Sequence, residues 1–187
     1  MRTIRIFILF AGVYGSMLCG TASAQTEKGD WLVGGLLDLN TAKNSTTFNF
    51  SPNAGYFVVD NLVIGGNLVI AYDKLGDLKI TTFGFGPFVR YYFTDEKVRP
   101  FFAGDMTFDK RKVESSAGRN TEDAFSWFLG GGAAFFINEN VAVDGIIGYA
   151  HSKVSDEEGS GGLRFRVGFQ VYINRSQVQS VRSSLSR

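Results

Sequence analysis

The amino-acid sequence predicts an all-β fold, and three features support this prediction. Apolar and polar residues alternate with a period of two from Gly29 to Ile173, the spacing that places successive side chains on opposite faces of a strand. No segment repeats apolar residues at the i, i+3, i+4 and i+7 spacing of an amphipathic helix. The 23 glycines and 18 phenylalanines are distributed along the 187 residues, so no single hydrophobic block accounts for them.

Ahead of the strands, residues 1–24 are predicted to form a secretory signal peptide. A basic start precedes an apolar run over residues 6–18, and Ala22-Ser23-Ala24 fits the small-residue rule for cleavage. The run is shorter than the about 20 residues that a membrane-spanning helix needs. Cleavage would remove the single cysteine, so we expect no disulfide and no cysteine-based metal site in the secreted chain.

Eight segments carry the alternation and are predicted as strands. In the second, Phe48, Phe50 and Tyr56 alternate with Asn49 and Asn53. In the third, aliphatic residues alternate with glycine, asparagine and alanine, and in the eighth six apolar residues alternate with two arginines, a glycine, a glutamine and a tyrosine. The predicted strands cover residues 31–40, 46–58, 62–72, 80–93, 100–108, 124–137, 141–151 and 163–173.

The predicted connections alternate between short and long. Three are short, at residues 60–61, 94–99 and 138–140, and four are longer and polar, at residues 41–45, 73–79, 109–123 and 152–161. Short turns at one end and longer loops at the other are typical of antiparallel barrels in an outer membrane. We therefore predict an eight-stranded antiparallel up-and-down transmembrane β-barrel over residues 25–173.

The composition of the polar face indicates which side of the barrel faces outward. Alternation alone would also fit a soluble lipocalin-like binder, with its apolar face inside. The polar face is rich in glycine, alanine, serine and asparagine, whereas a surface in water is normally charged. Small residues suit the narrow interior of an eight-stranded barrel, so we expect the apolar face to lie outside, against lipid.

Six charged residues fall on the predicted interior face, three of each sign. We expect them to form an ion-pair network, because buried charges are tolerated when they are paired and hydrogen-bonded. Asp38 is expected near Arg164 or Arg166 across the closure of the barrel, and Arg90 near Asp105 on a neighbouring strand. The predicted network consists of Asp38, Arg90, Asp105, Asp144, Arg164 and Arg166.

Aromatic residues gather at the predicted strand ends and predict two interfacial girdles. Trp31, Tyr56, Tyr91, Phe93 and Tyr172 would form one, and Tyr72, Phe83, Phe108, Trp127 and Tyr149 the other. Two prolines, Pro52 and Pro87, fall within predicted strands, where each removes a backbone donor. We expect β-bulges to accommodate them.

Two segments resemble those of the small eight-stranded bacterial outer-membrane barrels of the OmpX and OmpA transmembrane-domain type. Residues 86–93, GPFVRYYF, are similar to the fourth strand of that family, and residues 168–173, GFQVYI, resemble its closing strand. The resemblance implies a monomer in the cell outer membrane, with membrane lipids and lipopolysaccharide as neighbours and the barrel-assembly machinery as a partner during insertion. Residues 174–187 extend beyond the closing strand and are predicted to be a flexible periplasmic tail.

The sequence offers little support for catalysis. His151 and Ser152 would be the centre of a lipid A-modifying hydrolase, but adjacent residues of a strand point to opposite faces, so no enzyme activity is expected. No cofactor and no metal site are predicted. The formal net charge of +1 leaves no basic excess for nucleic acid.

These observations predict an integral outer-membrane barrel with a structural or surface-interaction role and a lumen plugged by side chains. Lys110, Arg111 and Lys112 lie in the longest predicted loop, which is either an ordinary solvated loop or a surface for lipopolysaccharide phosphates or adhesion. The alternative function is a narrow, porin-like channel for small solutes.

Overall fold

The computed structural model describes residues 26–42, 45–76, 78–115, 118–155 and 158–175, with the backbone alone for residues 39–42 and 45–47. The predicted signal peptide and residues 176–187 of the predicted tail lie outside the described residues. No helix in the described part of the chain is long and apolar enough to span a membrane.

Eight antiparallel strands form a closed barrel in chain order, and the last strand pairs with the first. This confirms the predicted fold class. The strands are β1 Trp31–Ala42, β2 Ser45–Val59, β3 Leu62–Leu75, β4 Leu78–Tyr92, β5 Val98–Ser115, β6 Gly118–Phe136, β7 Val141–Val154 and β8 Ser160–Ile173.

We call the end of the barrel that carries Trp31 and Ile173 the terminal end, and the opposite end the ribbon end. At the terminal end, β2 turns into β3 through Asp60 and Asn61, and Asn61 has a positive φ of 66°, a conformation that asparagine tolerates in turns. The backbone N–H of Asn61 donates to the carbonyl of Thr26 at 2.7 Å. The segment that precedes β1 therefore packs against this turn.

Strands continue through most of the segments that were predicted as long loops, so that part of the prediction is wrong. β3 ends at Leu75 opposite Leu78, where β4 begins, and β5 and β6 continue to Ser115 opposite Gly118. Opposite charges face each other along this extension of β5 and β6, with Lys110 opposite Asp123, Arg111 opposite Glu122 and Glu114 opposite Arg119. Cross-strand charge pairs of this kind favour pairing, which explains why a charged segment remains β-structure.

The expected bulges at Pro52 and Pro87 are also wrong, because the register is the same on both sides of each proline. Pro52 stays opposite Gly35 of β1, while the ladder between β2 and β3 passes from Phe50 opposite Ile70 directly to Asn53 opposite Asn67. Pro87 likewise stays opposite Gly66 of β3, and the pairs of β4 with β5 resume in the same register. The N–H of a strand residue points toward one neighbouring strand, so each proline removes a hydrogen-bond donor from only one of its two ladders. The one register shift among the described pairs of β2 with β3 lies between Phe57 and Val59.

The two faces of the barrel are inverted relative to a soluble protein. Large apolar side chains are exposed on the outside of all eight strands, including Leu37, Phe50, Leu68, Phe85, Met106, Leu129, Ile147 and Phe169. The inward positions carry small and polar residues around one cluster of buried aromatic rings. A continuous apolar exterior of this extent is unfavourable in water and suits a hydrocarbon environment.

Candidate functional site

The lumen at the terminal end is filled by a layer of apolar and aromatic side chains. Tyr92 and Tyr172 are fully buried, and their hydroxyl groups are 2.7 Å apart in a mutual hydrogen bond. Tyr172 therefore lies inside the barrel and not in the girdle where the sequence analysis placed it, because its position shares the inward face of β8 with Gln170. We call this set the aromatic layer; it consists of Leu32, Phe57, Val63, Tyr92, Phe101, Phe136 and Tyr172.

Arg99 closes the terminal end beneath the aromatic layer. Its guanidinium lies 4.5 Å from the centre of the Phe136 ring and donates to the carbonyl oxygens of Asp95 and Glu96 at 3.0 Å each. It also donates to the Thr26 hydroxyl at 2.9 Å, and the side chain is fully buried. Arg99 was not predicted as an interior residue because it was assigned to a turn. It lies two residues before Phe101, so on a strand both side chains point to the same face, and this spacing was the signal that could have found it.

Arg90 and Asp144 form a buried ion pair across the lumen, between β4 and β7. Arg90 Nη1 donates to Asp144 Oδ2 at 2.5 Å, and both side chains are almost fully buried. The same guanidinium lies 4.3 Å from the centre of the Phe101 ring. Asp105, the partner expected for Arg90, is not its ion-pair partner, because Arg90 faces Ala103 in the register of β4 with β5 and its long side chain extends across the barrel.

Arg166 of β8 pairs instead with Asp105 of β5. The Nη1 to Oδ2 distance is 2.9 Å, and the guanidinium lies 3.9 Å from the centre of the Phe128 ring. Asp38 of β1 lies 3.6 Å from Arg164 of β8, across the closure of the barrel, in a pair that is partly exposed. The six charged residues singled out from the sequence thus meet in three pairs, each of which bridges two strands.

A cluster of hydroxyl groups surrounds one more carboxylate nearer the ribbon end. Asp109 Oδ2 accepts hydrogen bonds from Thr107 at 3.1 Å and from Ser126 at 2.8 Å, and the Ser126 and Ser152 hydroxyls are 3.0 Å apart. Asp109 is buried. Asp109 belongs to a segment that was predicted as a loop, so its position in the lumen was not predicted.

The extension of β5 and β6 forms a charged ribbon, which we define as residues 109–115 and 118–123. Lys110 and Lys112 are exposed and share one face, whereas Arg111 lies on the other face. The Lys110 ammonium is 3.6 Å from Asp123, and Arg119 pairs with Glu114. Lys110, Arg111 and Lys112 therefore lie on paired strands and not in a loop.

His151 and Ser152 point to opposite sides of the barrel wall. The His151 ring packs on Trp127 outside, with 5.8 Å between ring centres, while the Ser152 hydroxyl contacts Ser126 inside. A serine nucleophile needs its histidine base within hydrogen-bond reach, which this arrangement does not provide. Among the described residues, no group of three His, Cys, Asp or Glu side chains is placed to hold a metal ion.

Aromatic rings contact one another around the outside of the barrel near both ends. At the terminal end, Trp31 meets Tyr56 edge-on with ring centres 5.3 Å apart, and Tyr91 meets Phe93 at 5.4 Å. Nearer the ribbon end, the rings of Trp127 and Tyr149 are 5.8 Å apart. Aromatic girdles of this kind lie at the two interfaces of membrane-spanning barrels.

Several solved structures share this fold. Neisserial surface protein A is 16% identical in sequence and has a TM-score of 0.60, with 77% of this chain and 97% of that chain covered. The N-terminal barrel of OprF from Pseudomonas aeruginosa is 13% identical, with a TM-score of 0.51 and coverage of 78% and 97%. OprG from the same organism is 10% identical, with a TM-score of 0.50 and coverage of 82% and 99%. No curated protein matches this chain by sequence.

The family assignment comes from the sequence as a whole. The model of the outer membrane protein beta-barrel domain matches residues 11–171, which include all of β1 to β7 and most of β8. The closed barrel, its apolar exterior and its aromatic rings near both ends agree with that match. The chain belongs to the outer membrane protein beta-barrel domain family, and this membership implies a location in the outer membrane.

Proposed function

We propose that the protein is a non-conducting, non-enzymatic outer-membrane barrel that holds the charged ribbon at the cell surface, with the N- and C-termini of the barrel domain in the periplasm. The observation that carries this proposal is the filled lumen. Arg99, the aromatic layer and the Arg90–Asp144 pair follow one another along the barrel axis, and their side chains are buried.

The energetics of this filling argue against the channel alternative. A water-filled path would have to separate the Arg90–Asp144 pair or move several rings of the aromatic layer out of contact. Breaking a buried ion pair costs about 3–5 kcal/mol, and an eight-stranded interior has only enough width for its own side chains. A surface role requires no such opening.

The ribbon supplies the chemistry for the surface role. Lys110 and Lys112 place two exposed ammonium groups on one face, where they can attract the phosphate groups of lipopolysaccharide. Lipopolysaccharide is therefore the surface partner that we propose, and the barrel-assembly machinery is the partner during insertion. The outward-facing apolar strands need only lipid, which supports a monomeric protein.

Binding of the purified protein to immobilised lipopolysaccharide tests the surface role. Replacing Lys110 and Lys112 together with glutamine should reduce the affinity several-fold, and the reduction should disappear at high salt because exposed charges are screened. Lys97→Gln, which removes an exposed cation at the terminal end, is the matched control and should leave binding unchanged. Equal binding by the wild type and the double variant at low salt would refute the proposed role of the ribbon.

A further inference from the structure

The wall of the barrel is incompletely paired between β1 and β8. The ladder between these strands runs from Trp31 opposite Ile173 to Leu37 opposite Val167 and ends there. Beyond this point both strands continue, and among the described residues 38–42 of β1 pair only with β2 and 160–166 of β8 only with β7. We call this unpaired part of the closure the open seam.

The open seam begins within the membrane-spanning height of the barrel. Trp31 lies in the girdle at the terminal end, and Leu37 follows it by about six residues along β1. At about 3.3 Å per residue and a strand tilt of about 45°, this distance corresponds to a rise of about 14 Å along the membrane normal. The apolar band of such a barrel is about 25 Å tall, so the pairing ends about 11 Å below its outer boundary. Unpaired backbone groups at that depth need a polar partner, because hydrocarbon supplies none.

A cation lies at this opening. Arg164 is 47% exposed although it sits at an inward position of β8, and its contact with Asp38 is 3.6 Å long. Had the ladder continued, Asp38 would face Arg166, but that guanidinium is engaged with Asp105 on the far side of the lumen. Arg164 is thus the arginine of the lumen network with the most accessible guanidinium.

Apolar side chains flank this cation on the membrane side. Leu163 is 79% exposed and Phe165 is 63% exposed, and both project from the outward face of β8 on either side of Arg164. Arg164 projects inward from the same unpaired edge, so an amphiphile lying along this edge would meet a cation on one side and apolar side chains on the other, which complements an anionic head and hydrocarbon tails. Arginine is well suited to phosphate because its planar fork can donate two parallel hydrogen bonds.

We propose that the open seam is a binding site for a phosphate-bearing lipid of the outer leaflet, with Arg164 as the phosphate ligand and Leu163 and Phe165 against its acyl chains. The lipid head would also supply polar partners for the unpaired strand edges. This site goes beyond the proposed function, because the ribbon belongs to β5 and β6 on another part of the wall.

A second copy of the chain is the other occupant that an exposed strand edge can take, by edge-to-edge pairing. The charge at the seam favours the lipid. Two copies paired through their β8 edges would bring the exposed Arg164 side chains toward each other, whereas a phosphate neutralises the cation.

Native mass spectrometry of the full-length barrel tests this proposal. The protein is released from a maltoside detergent, which carries no phosphate. The probes are lipid A, phosphatidylglycerol and diacylglycerol, the last of which has acyl chains but no phosphate. We expect at least one of the two phosphate-bearing lipids to bind and diacylglycerol to bind at least tenfold more weakly. The ratio of lipid A to phosphatidylglycerol then identifies the source of the phosphate.

Two substitutions at the seam should change the affinity in opposite directions. Arg164→Gln should weaken phosphate-lipid binding about tenfold, and Asp38→Asn should strengthen it, because Asp38 competes for the same guanidinium. Lys153→Gln removes an exposed cation from β7 near the same end and serves as the matched control, with no change expected. Heat-modifiable gel mobility verifies that each variant is folded, and Asp38→Asn retains the test if Arg164→Gln does not fold.

Three results would overturn the proposal: diacylglycerol bound as well as the phosphate lipids, affinity unaffected by both seam substitutions, or a dimer whose cross-links join the β1 or β8 edges of two copies. The two seam substitutions leave Lys110 and Lys112 unchanged, so their results test the seam separately from lipopolysaccharide binding by the ribbon.

Discussion

At the scale of single residues, the buried pair of Arg90 and Asp144 is the strongest constraint on the interior. A charge that loses its partner in a low-dielectric interior keeps its desolvation cost and loses the compensating attraction. Arg90 also lies against the Phe101 ring, and its Nη1 is 3.2 Å from the Tyr92 hydroxyl. The pair therefore connects the lumen network to the aromatic layer.

We predict that Asp144→Leu lowers the free energy of unfolding by about 3–5 kcal/mol, because it leaves the Arg90 cation buried and unpaired. The double variant Arg90→Met, Asp144→Leu should recover most of that loss. Urea unfolding in lipid vesicles, followed by tryptophan fluorescence, measures both. Asp38→Leu, which breaks the partly exposed pair with Arg164, is the control and should cost less than about 1 kcal/mol. A larger loss for Asp38→Leu than for Asp144→Leu would contradict this ranking.

The alternation in the sequence placed six charged residues on the inward face, but it missed the buried Arg99 and Asp109 and could not predict all of the ion-pair partners. Asp38 and Arg164 are on the two strands that close the barrel, so strand order alone brings them together. Arg90 reaches Asp144 across the lumen, and this contact depends on the width of the barrel and on the length of the arginine side chain. The alternation of residues predicts only the face of the strand on which a side chain lies, so it could not predict this contact.

At the scale of elements, the charged ribbon shows why strand ends were harder to predict than strand cores. The period of two predicts a strand when it separates apolar from polar residues, but residues 109–123 are polar on both faces. Their pairing depends on opposite charges across the strands, such as Glu114 opposite Arg119. That signal is visible only after the two segments have been aligned as a hairpin.

We predict that Glu114→Lys frays the end of the ribbon, because it places a cation opposite both Arg119 of β6 and Lys79 of β4. Like charges at such positions cost a few tenths of a kcal/mol to about 1 kcal/mol. Amide hydrogen exchange should become several-fold faster near Ser115 and Gly118 and remain unchanged in the membrane-spanning part of β5. The double variant Glu114→Lys, Arg119→Glu should restore slow exchange on the β6 side, while the lysine at position 114 still faces Lys79 of β4. Unchanged exchange in the single variant would mean that charge pairing does not hold the ribbon together.

At the scale of the whole molecule, closure of the sheet and the inverted faces follow from the same pattern. An eight-stranded barrel leaves no free sheet edge where its ladder is complete, and its apolar exterior is stable only in lipid. The sequence therefore predicted the all-β class, the strand number and the outward apolar face. It could not predict the open seam, because the register between the first and last strands depends on the geometry of closure.

The filled lumen is the central claim about the whole molecule, and planar-bilayer recording tests it most directly. The purified wild-type barrel should give no single-channel steps, because the aromatic layer and Arg99 fill its terminal end. Replacing Tyr92, Arg99 and Tyr172 with alanine should open a path and produce small steps, which shows that the assay can detect one. The matched control, alanine at the outward-facing Tyr91 and Tyr149, should remain silent. Reproducible steps from the wild-type protein, of the same size as those of the opened variant, would contradict a closed lumen and establish the channel instead.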